Sequence, residues 1–220
     1  ACMKSNKLIT ILKDPQEIRR FLVWFYIIGI AGMVIPATSA LFMKLTPLAL
    51  LMNFGLLLTH HETKFSVITI LIFSLILLSG FFIEIIGVQT GIIFGEYVYG
   101  KGLGWKLWDT PLIIGLNWLL LVYTTATITQ KIKIHNIIRI ALGAGMMLVY
   151  DLIMEQVAPR MDMWSWKNGI IPIENYIAWF VIASLFHALI QFSGIKIKNK
   201  LSETVLIAQF VFFVILFILF

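Results

Sequence analysis

Apolar runs of roughly 17 to 25 residues follow one another along the 220-residue chain, each long enough to cross a hydrocarbon core of ~30 Å. In lipid every backbone N–H and C=O must be satisfied internally, which leaves helices and closed barrels. The runs are continuous rather than alternating, so they read as helices at about 19–40, 45–59, 65–90, 111–130, 136–158, 173–193 and 202–220. The expected fold class is all-α, a polytopic membrane helical bundle with about seven transmembrane helices. Composition agrees, with 60% of residues hydrophobic and 13% charged, against about a quarter charged in a soluble domain.

No Pro/Gly/Ser-rich linker, low-complexity tract or repeat marks a second domain. Residues 1–18 are expected to form a cytoplasmic N-terminal segment, with Ala1-Cys2 an expression remnant before Met3, and 19–220 a single transmembrane domain. Lys4 and Lys7 ahead of the Phe21–Pro36 run, with Thr38-Ser39-Ala40 beyond, raise a signal peptide; the run is long for a cleaved one and reads as the first span. The one cysteine, Cys2, allows neither a disulfide nor a thiolate metal site.

Basic residues set the orientation. The net charge of +6 reflects lysine and arginine placed mostly between apolar runs, which is topology signalling rather than a nucleic-acid footprint. With seven crossings, twelve of the seventeen lie on the N-terminal side, against Lys44, Lys101, Lys106, Arg160 and Lys167 opposite. If the short 45–59 run does not cross, the division becomes nine to eight. Seven spans with a cytoplasmic N-terminus, in a prokaryotic cytoplasmic membrane, is the expectation. Asp109-Thr110-Pro111 reads as a cap and proline opening the fourth helix, and Ser202-Glu203 as the start of the last.

The acids show the opposite bias. Asp14, Glu17, Glu62 and Glu203 lie near the basic face; Glu84, Glu96, Asp109, Asp151, Glu155, Asp162 and Glu174 lie toward the other. Glu84 falls inside the third run, and Asp151 and Glu155 fall inside the fifth, one helical turn apart on one face. An ionisable group at that depth is costly and points into the bundle. A carboxyl group in an apolar pocket can hold its proton and deliver it while a neighbouring carboxylate stays ionised, which is general acid–base equipment. Aromatic faces nearby suit a cationic intermediate.

The remaining polar residues admit blander readings. Trp105, Trp108, Trp164 and Trp166, four of the seven tryptophans, read equally as an interfacial belt or as ligand contacts. Asp109 reads first as a helix cap. Glu96 and Asp162 read as solvated loop charges, with Arg160 a partner for either. Asn117 and Asn175 read equally as hydrogen-bond glue between helices. His60-His61, His135 and His187 lack partner ligands, so no metal site is expected.

The run from Glu84 to Tyr99 (EIIGVQTGIIFGEYVY), then Leu103-Gly104, Pro111 and Asn117-Trp118, resembles membrane carotenoid biosynthesis proteins of the carotenoid 1,2-hydratase and bisanhydrobacterioruberin hydratase type. So do Asp151, Pro159, Trp164-Ser165-Trp166, Gly169, Pro172, Asn175-Tyr176 and Trp179. The likeness covers about the middle half of the chain. Ala178 stands where the family has glycine, and Glu155-Gln156 where relatives tend toward Asp-Pro.

What the resemblance implies is a cofactor-independent hydro-lyase reaction, adding water across the terminal C1=C2 double bond of an acyclic carotenoid end group. Lycopene, γ-carotene or a related polyene would be the substrate, with water and membrane lipid as the other partners and room for association with other pathway enzymes. Asp151 and Glu84 are then the expected acid–base pair, in either order, with Glu155 in support. Gln89, Tyr97, Trp105, Trp108, Asn117, Trp118, Arg160, Trp164, Trp166, Asn175 and Trp179 are candidates for lining the substrate or placing water.

Other functions compete. End-group cyclisation shares the protonation and differs in what captures the cation. A transporter or proton conductor also carries intramembrane acids, though the sequence has no paired repeats or paired broken helices. A retinal photoreceptor needs a lysine within a span, and Val205–Phe220 has none. A purely structural scaffold would tolerate amides in place of the acids.

Overall fold

A computed structural model describes residues 14–220, so Lys4, Lys7, Lys13 and the Ala1-Cys2 pair fall outside the described residues. Helix α1 (Pro15–Val34) begins at Asp14, whose carboxylate accepts the Gln16 amide at 2.9 Å, with Pro15 in the first turn where a missing N–H is harmless. It ends at Ile35, which the following Pro36 holds extended. Helices α2 (Pro36–Lys44) and α3 (Thr46–Thr59) then meet at a 54° bend. Pro47 removes one N–H there, and its ring crowds the carbonyl a turn back. The expected 19–40 run therefore divides at Pro36, and its end joins the 45–59 run as a bent pair with the length and hydropathy of one span, broken or re-entrant.

Helix α4 (Val67–Thr90) is capped by Ser66, whose hydroxyl accepts the Thr69 amide at 3.1 Å, and stops at Gly91 in the left-handed conformation. After three short strands comes α5 (Ile113–Thr129), in which every residue except Ile128 is buried. A helix buried on every face lies inside, and α3, α4, α6, α7 and α8 pack on α5. Helices α6 (Asn136–Val157), α7 (Ile173–Phe192) and α8 (Ser202–Leu219) follow, with α6 against α7 and α8, and α8 against α1. Four helices, α4, α6, α7 and α8, are long and apolar enough to cross a membrane, and the bent pair makes a fifth. The fold is an all-α bundle.

Short strands cover one end. β1 (Tyr97–Tyr99) pairs antiparallel with β4 (Trp164–Trp166), setting Tyr97 opposite Trp166 and Tyr99 opposite Trp164. β2 (Lys106–Leu107) pairs with β3 (Thr110–Pro111) across a two-residue turn. That turn is Trp108-Asp109, with φ of 49° and 60°, the signature of a primed hairpin turn. The expected helix start at Asp109-Thr110-Pro111 is thereby corrected: Asp109 occupies a turn, Pro111 a strand, and the helix begins two residues later at Ile113.

Candidate active site

The end of α4, the end of α6 and the starts of α5 and α7 meet beneath the β1–β4 ladder, bringing Glu84, Asp151 and Glu155 together under one roof of aromatic donors. Strand alternation makes the roof. Tyr97, Tyr99, Trp164 and Trp166 turn inward while Val98 and Ser165 face out. Glu84 Oε2 accepts the hydroxyls of Tyr97 and Tyr99, both at 2.7 Å, and Glu84 Oε1 accepts Trp118 Nε1 at 2.9 Å. Glu155 Oε2 accepts Trp164 Nε1 at 2.9 Å and Trp166 Nε1 at 2.6 Å. Burial, with the Glu84 charge adding to it, pushes the Tyr97 and Tyr99 hydroxyls well above the ordinary tyrosine range, so both remain donors.

Asn175, at the start of α7, ties two acids together. Its Nδ2 donates to Glu155 Oε1 at 3.1 Å and to Asp151 Oδ2 at 3.2 Å. Asp151 is fully buried, and its Oδ1 has no hydrogen-bond partner among the described residues. The three acids thus differ: Glu84 and Glu155 each receive three donors, and Asp151 receives one.

Two glycines let the roof reach the helix. A side chain on Gly80 would meet the Cβ of Trp118 at 2.9 Å, and one on Gly87 would meet Phe94 at 2.6 Å and the Tyr97 hydroxyl at 3.1 Å. Each lies about a turn from Glu84, so bare backbone on α4 admits the groups that bind its carboxylate. Trp118 is stacked in turn on Trp179, with ring centroids 4.2 Å apart at 26°.

Glu84, Glu155, Asn175 and the roof aromatics enclose a cavity of about 20 Å³, enough for about one water molecule. Ile114 lines it, and Ile114 also lines a second cavity of about 540 Å³ between α1, the α2–α3 bend, α5, α6 and α8. Walls of the larger cavity are mainly apolar; Tyr150 and Met154, one and three residues from Asp151 on α6, line it, while Asp151 itself lines neither cavity. Trp24 and Ile28 of α1 and Leu45 and Leu48 at the bend line it while remaining exposed on the bundle's apolar side. The cavity is therefore open laterally, toward the surface that faces lipid if these helices span.

The expected site residues separate into two groups. Glu84, Asp151, Glu155, Tyr97, Trp118, Trp164, Trp166, Asn175 and Trp179 converge, and Asn117 lines the larger cavity. Gln89, Trp105, Trp108 and Arg160 do not join them. Trp105 is 87% exposed; Gln89 Nε2 donates to the Trp108 carbonyl at 3.1 Å; and Arg160 lies 5.9 Å from the Phe220 ring rather than pairing with Glu96 or Asp162. Glu96 pairs instead with Lys167, and Asp162 Oδ2 accepts the Lys101 amide at 3.0 Å, closing the loop beside the ladder. Tyr99 and Ile114 were not among the expected residues. The two-residue spacing of Tyr97 and Tyr99, mirrored by Trp164 and Trp166, was the signal for the first; nothing local marks the second. Among the described residues no three His, Cys, Asp or Glu side chains are grouped to hold a metal ion.

Fold and site define a class: a helical bundle with four to five helices able to cross a membrane, one end enclosing three buried acids beside a lateral apolar cavity. The chain belongs to the carotenoid biosynthesis protein family, whose model matches residues 21–220 and so reaches well beyond the middle half that carries the sequence motifs. No curated protein and no solved structure matches it.

Proposed function

We propose that the protein is a carotenoid hydratase, adding water across the terminal C1=C2 double bond of an acyclic polyene end group. Family membership supports a role in carotenoid biosynthesis with a carotenoid substrate. The observation that carries the finer reading is the adjacency of two unlike cavities at Ile114: a small polar one with room for a water, and a large apolar one open to the side. A polyene dissolved in lipid enters past Trp24 and Leu48, and its end group meets the acids from the apolar side. Ile114 is the partition at which end group and water meet.

Asp151 is assigned the acid, because it has the fewest donors to a charged form and adjoins Tyr150, which lines the apolar cavity, on α6. Its proton adds to C2, leaving a tertiary cation at C1. Water attacks C1 and gives up a proton to Glu84 or Glu155, whose donor sets suit a carboxylate. Return of that proton to Asp151 restores the site, so alkene and water become a tertiary alcohol with no oxidation or reduction. Stacked Trp118 and Trp179 keep the neighbourhood rich in ring faces that favour positive charge.

Purified protein incubated with lycopene or γ-carotene should give a product one water heavier. Asp151→Asn and Glu84→Gln should each lower the rate by about 100-fold or more. Full activity in both variants would overturn the assignment, and a product of unchanged mass would point to cyclisation.

A further inference from the structure

The end of the bundle away from the three acids carries a basin that hydration does not use. Its volume is about 700 Å³, and it lies among the start of α1 and the α3–α4, α5–α6 and α7–α8 connections. Six of its lining residues are basic and two, Glu62 and Glu203, are acidic. Both acids are already paired, Glu203 with Lys131 at 2.7 Å and Glu62 with Lys200 at 3.2 Å. Arg19, Arg139, Lys196 and Lys198 are left with no acid partner among the described residues. Like charges gathered around one concavity repel, and an anion seated among them offsets that cost.

The wall that carries the lysines is pinned in place. Burial alternates along 195–201, with Ile197, Asn199 and Leu201 buried and Lys196, Lys198 and Lys200 exposed. Alternate residues of an extended segment share a face, so the three lysines point the same way. Both backbone edges are held. Gln130 Oε1 accepts the Ile197 amide at 2.9 Å and Gln130 Nε2 donates to the Ile195 carbonyl at 3.1 Å. On the other edge the Glu62 amide donates to the Lys198 carbonyl at 2.9 Å, and the Thr63 hydroxyl to the Lys196 carbonyl at 2.9 Å. Arg139 commits all five of its N–H groups to Thr129, Ile132, Ile134, Asn136 and Gln191, so it supplies charge alone. Orienting a protein in a membrane requires a count of basic residues on one side; it does not require them to share a concavity on a fixed backbone.

We infer that this basin is a binding site for a phosphate group, with Arg19, Lys196 and Lys198 as its donors. Phosphate is compact and carries acceptor oxygens on every side, which suits lysine and arginine converging from different elements. Two sources can supply it. Phe21 and Trp24, just beyond Arg19 on α1, are apolar and exposed, so a lipid can lay its chains along α1 with its headgroup in the basin. A soluble phosphate reaches the same place from water.

The test needs no turnover, so it stands whether or not hydration is observed. The full chain in neutral detergent is titrated with inorganic diphosphate, and native mass spectrometry compares retained phosphatidylglycerol with phosphatidylcholine of the same acyl chains. Wild-type protein should bind diphosphate saturably, or retain phosphatidylglycerol over phosphatidylcholine by about tenfold. The first result alone identifies a soluble phosphate as the ligand, and the second alone a headgroup. Lys196→Gln with Lys198→Gln should weaken that binding by about tenfold or more, and Arg19→Gln, on a different element, should weaken it too. Lys64→Gln with Lys133→Gln removes the same charge from the same end but outside the basin, and should leave binding unchanged. Wild-type protein that binds neither probe overturns the inference, and so does equal weakening in the two double variants. If the first double variant does not fold, Arg19→Gln against the Lys64 and Lys133 pair decides in the same way.

Discussion

Glu84 depends on a residue that has no side chain to offer it. Gly80 leaves the α4 backbone bare where Trp118 packs, and Trp118 then reaches Glu84 Oε1. In Gly80→Ala the new methyl would sit 2.9 Å from the Trp118 Cβ, closer than side chains tolerate, so Trp118 must move off the carboxylate. Overpacking of this kind costs about 1–3 kcal/mol, and the variant should show a lowered unfolding temperature together with lost hydration. A Gly80→Ala protein with wild-type stability and rate would remove Trp118 from the account. At Ile114, by contrast, Ile114→Ala should widen the opening between the cavities with activity kept, while Ile114→Trp should fill the partition and abolish turnover; equal rates in the two would show that substrate and water meet elsewhere.

The same scale explains which site residues could be read in advance. Glu84, Asp151 and Glu155 stood out because an ionisable group inside an apolar run has few cheap explanations. Trp105, Trp108 and Arg160 lie in connections and Gln89 in the last turn of α4, where an aromatic or polar residue reads alike whether it faces a ligand or water. Only the hairpin turn and the exposed loop geometry separate them from Trp164 and Trp166.

At the level of elements, the β1–β4 ladder holds four of the six donors to Glu84 and Glu155. Trp166→Phe keeps the ring packing on Tyr97 but deletes the 2.6 Å donor to Glu155. A hydrogen bond to a charged group is worth about 1.5–3 kcal/mol, so a clear loss of stability is expected in thermal unfolding, larger than for exposed Trp105→Phe. Equal shifts in the two would show the ladder to be a passive cover. The helices were legible from continuous apolar runs, but the expected 19–40 run passed straight through the break at Pro36. Strands of two or three residues carry no periodic signal, and their pairing joins positions about 67 residues apart, Val98 with Ser165. That is why Asp109-Thr110-Pro111 looked like a helix start.

A second network ties the elements together at the opposite end. His61 Nδ1 meets the Tyr123 hydroxyl at 2.7 Å, and Asn199 Nδ2 donates to the same hydroxyl at 3.0 Å, joining the α3–α4 connection, α5 and the α7–α8 connection. Burial lowers the His61 pKa below the ordinary value, so the folded protein favours neutral imidazole. Its contribution to stability is present above the unfolded histidine value of about 6.5 and is lost as pH falls through the lower folded value. Unfolding temperature should therefore decline on acidification below about pH 6, and the decline should be shallower in His61→Gln. An identical slope would assign the acid sensitivity to other groups.

For the whole molecule, the open question is how the bundle lies in the membrane. On the expectation of seven crossings drawn from lysine and arginine, with the bent α2–α3 pair spanning, the acid cluster would lie at the non-cytoplasmic face. A membrane-impermeant thiol reagent applied to intact cells should then label Lys101→Cys in a Cys2→Ser background, and should label Cys2 of the parent only after permeabilisation. Labelling of both from one side would make the bent pair re-entrant and put the acids on the same side as the N-terminus. Either orientation keeps the cluster whole, because its members share one end of the bundle. Either also leaves polyene and water arriving from different phases.

Conversion of an acyclic polyene in water enriched in oxygen-18 tests most directly whether the buried acids hydrate the end group. Hydration at this site predicts a tertiary hydroxyl carrying the labelled oxygen with wild-type protein, and none with Asp151→Asn of equal unfolding temperature. An unlabelled product, or equal incorporation by the variant, would contradict it.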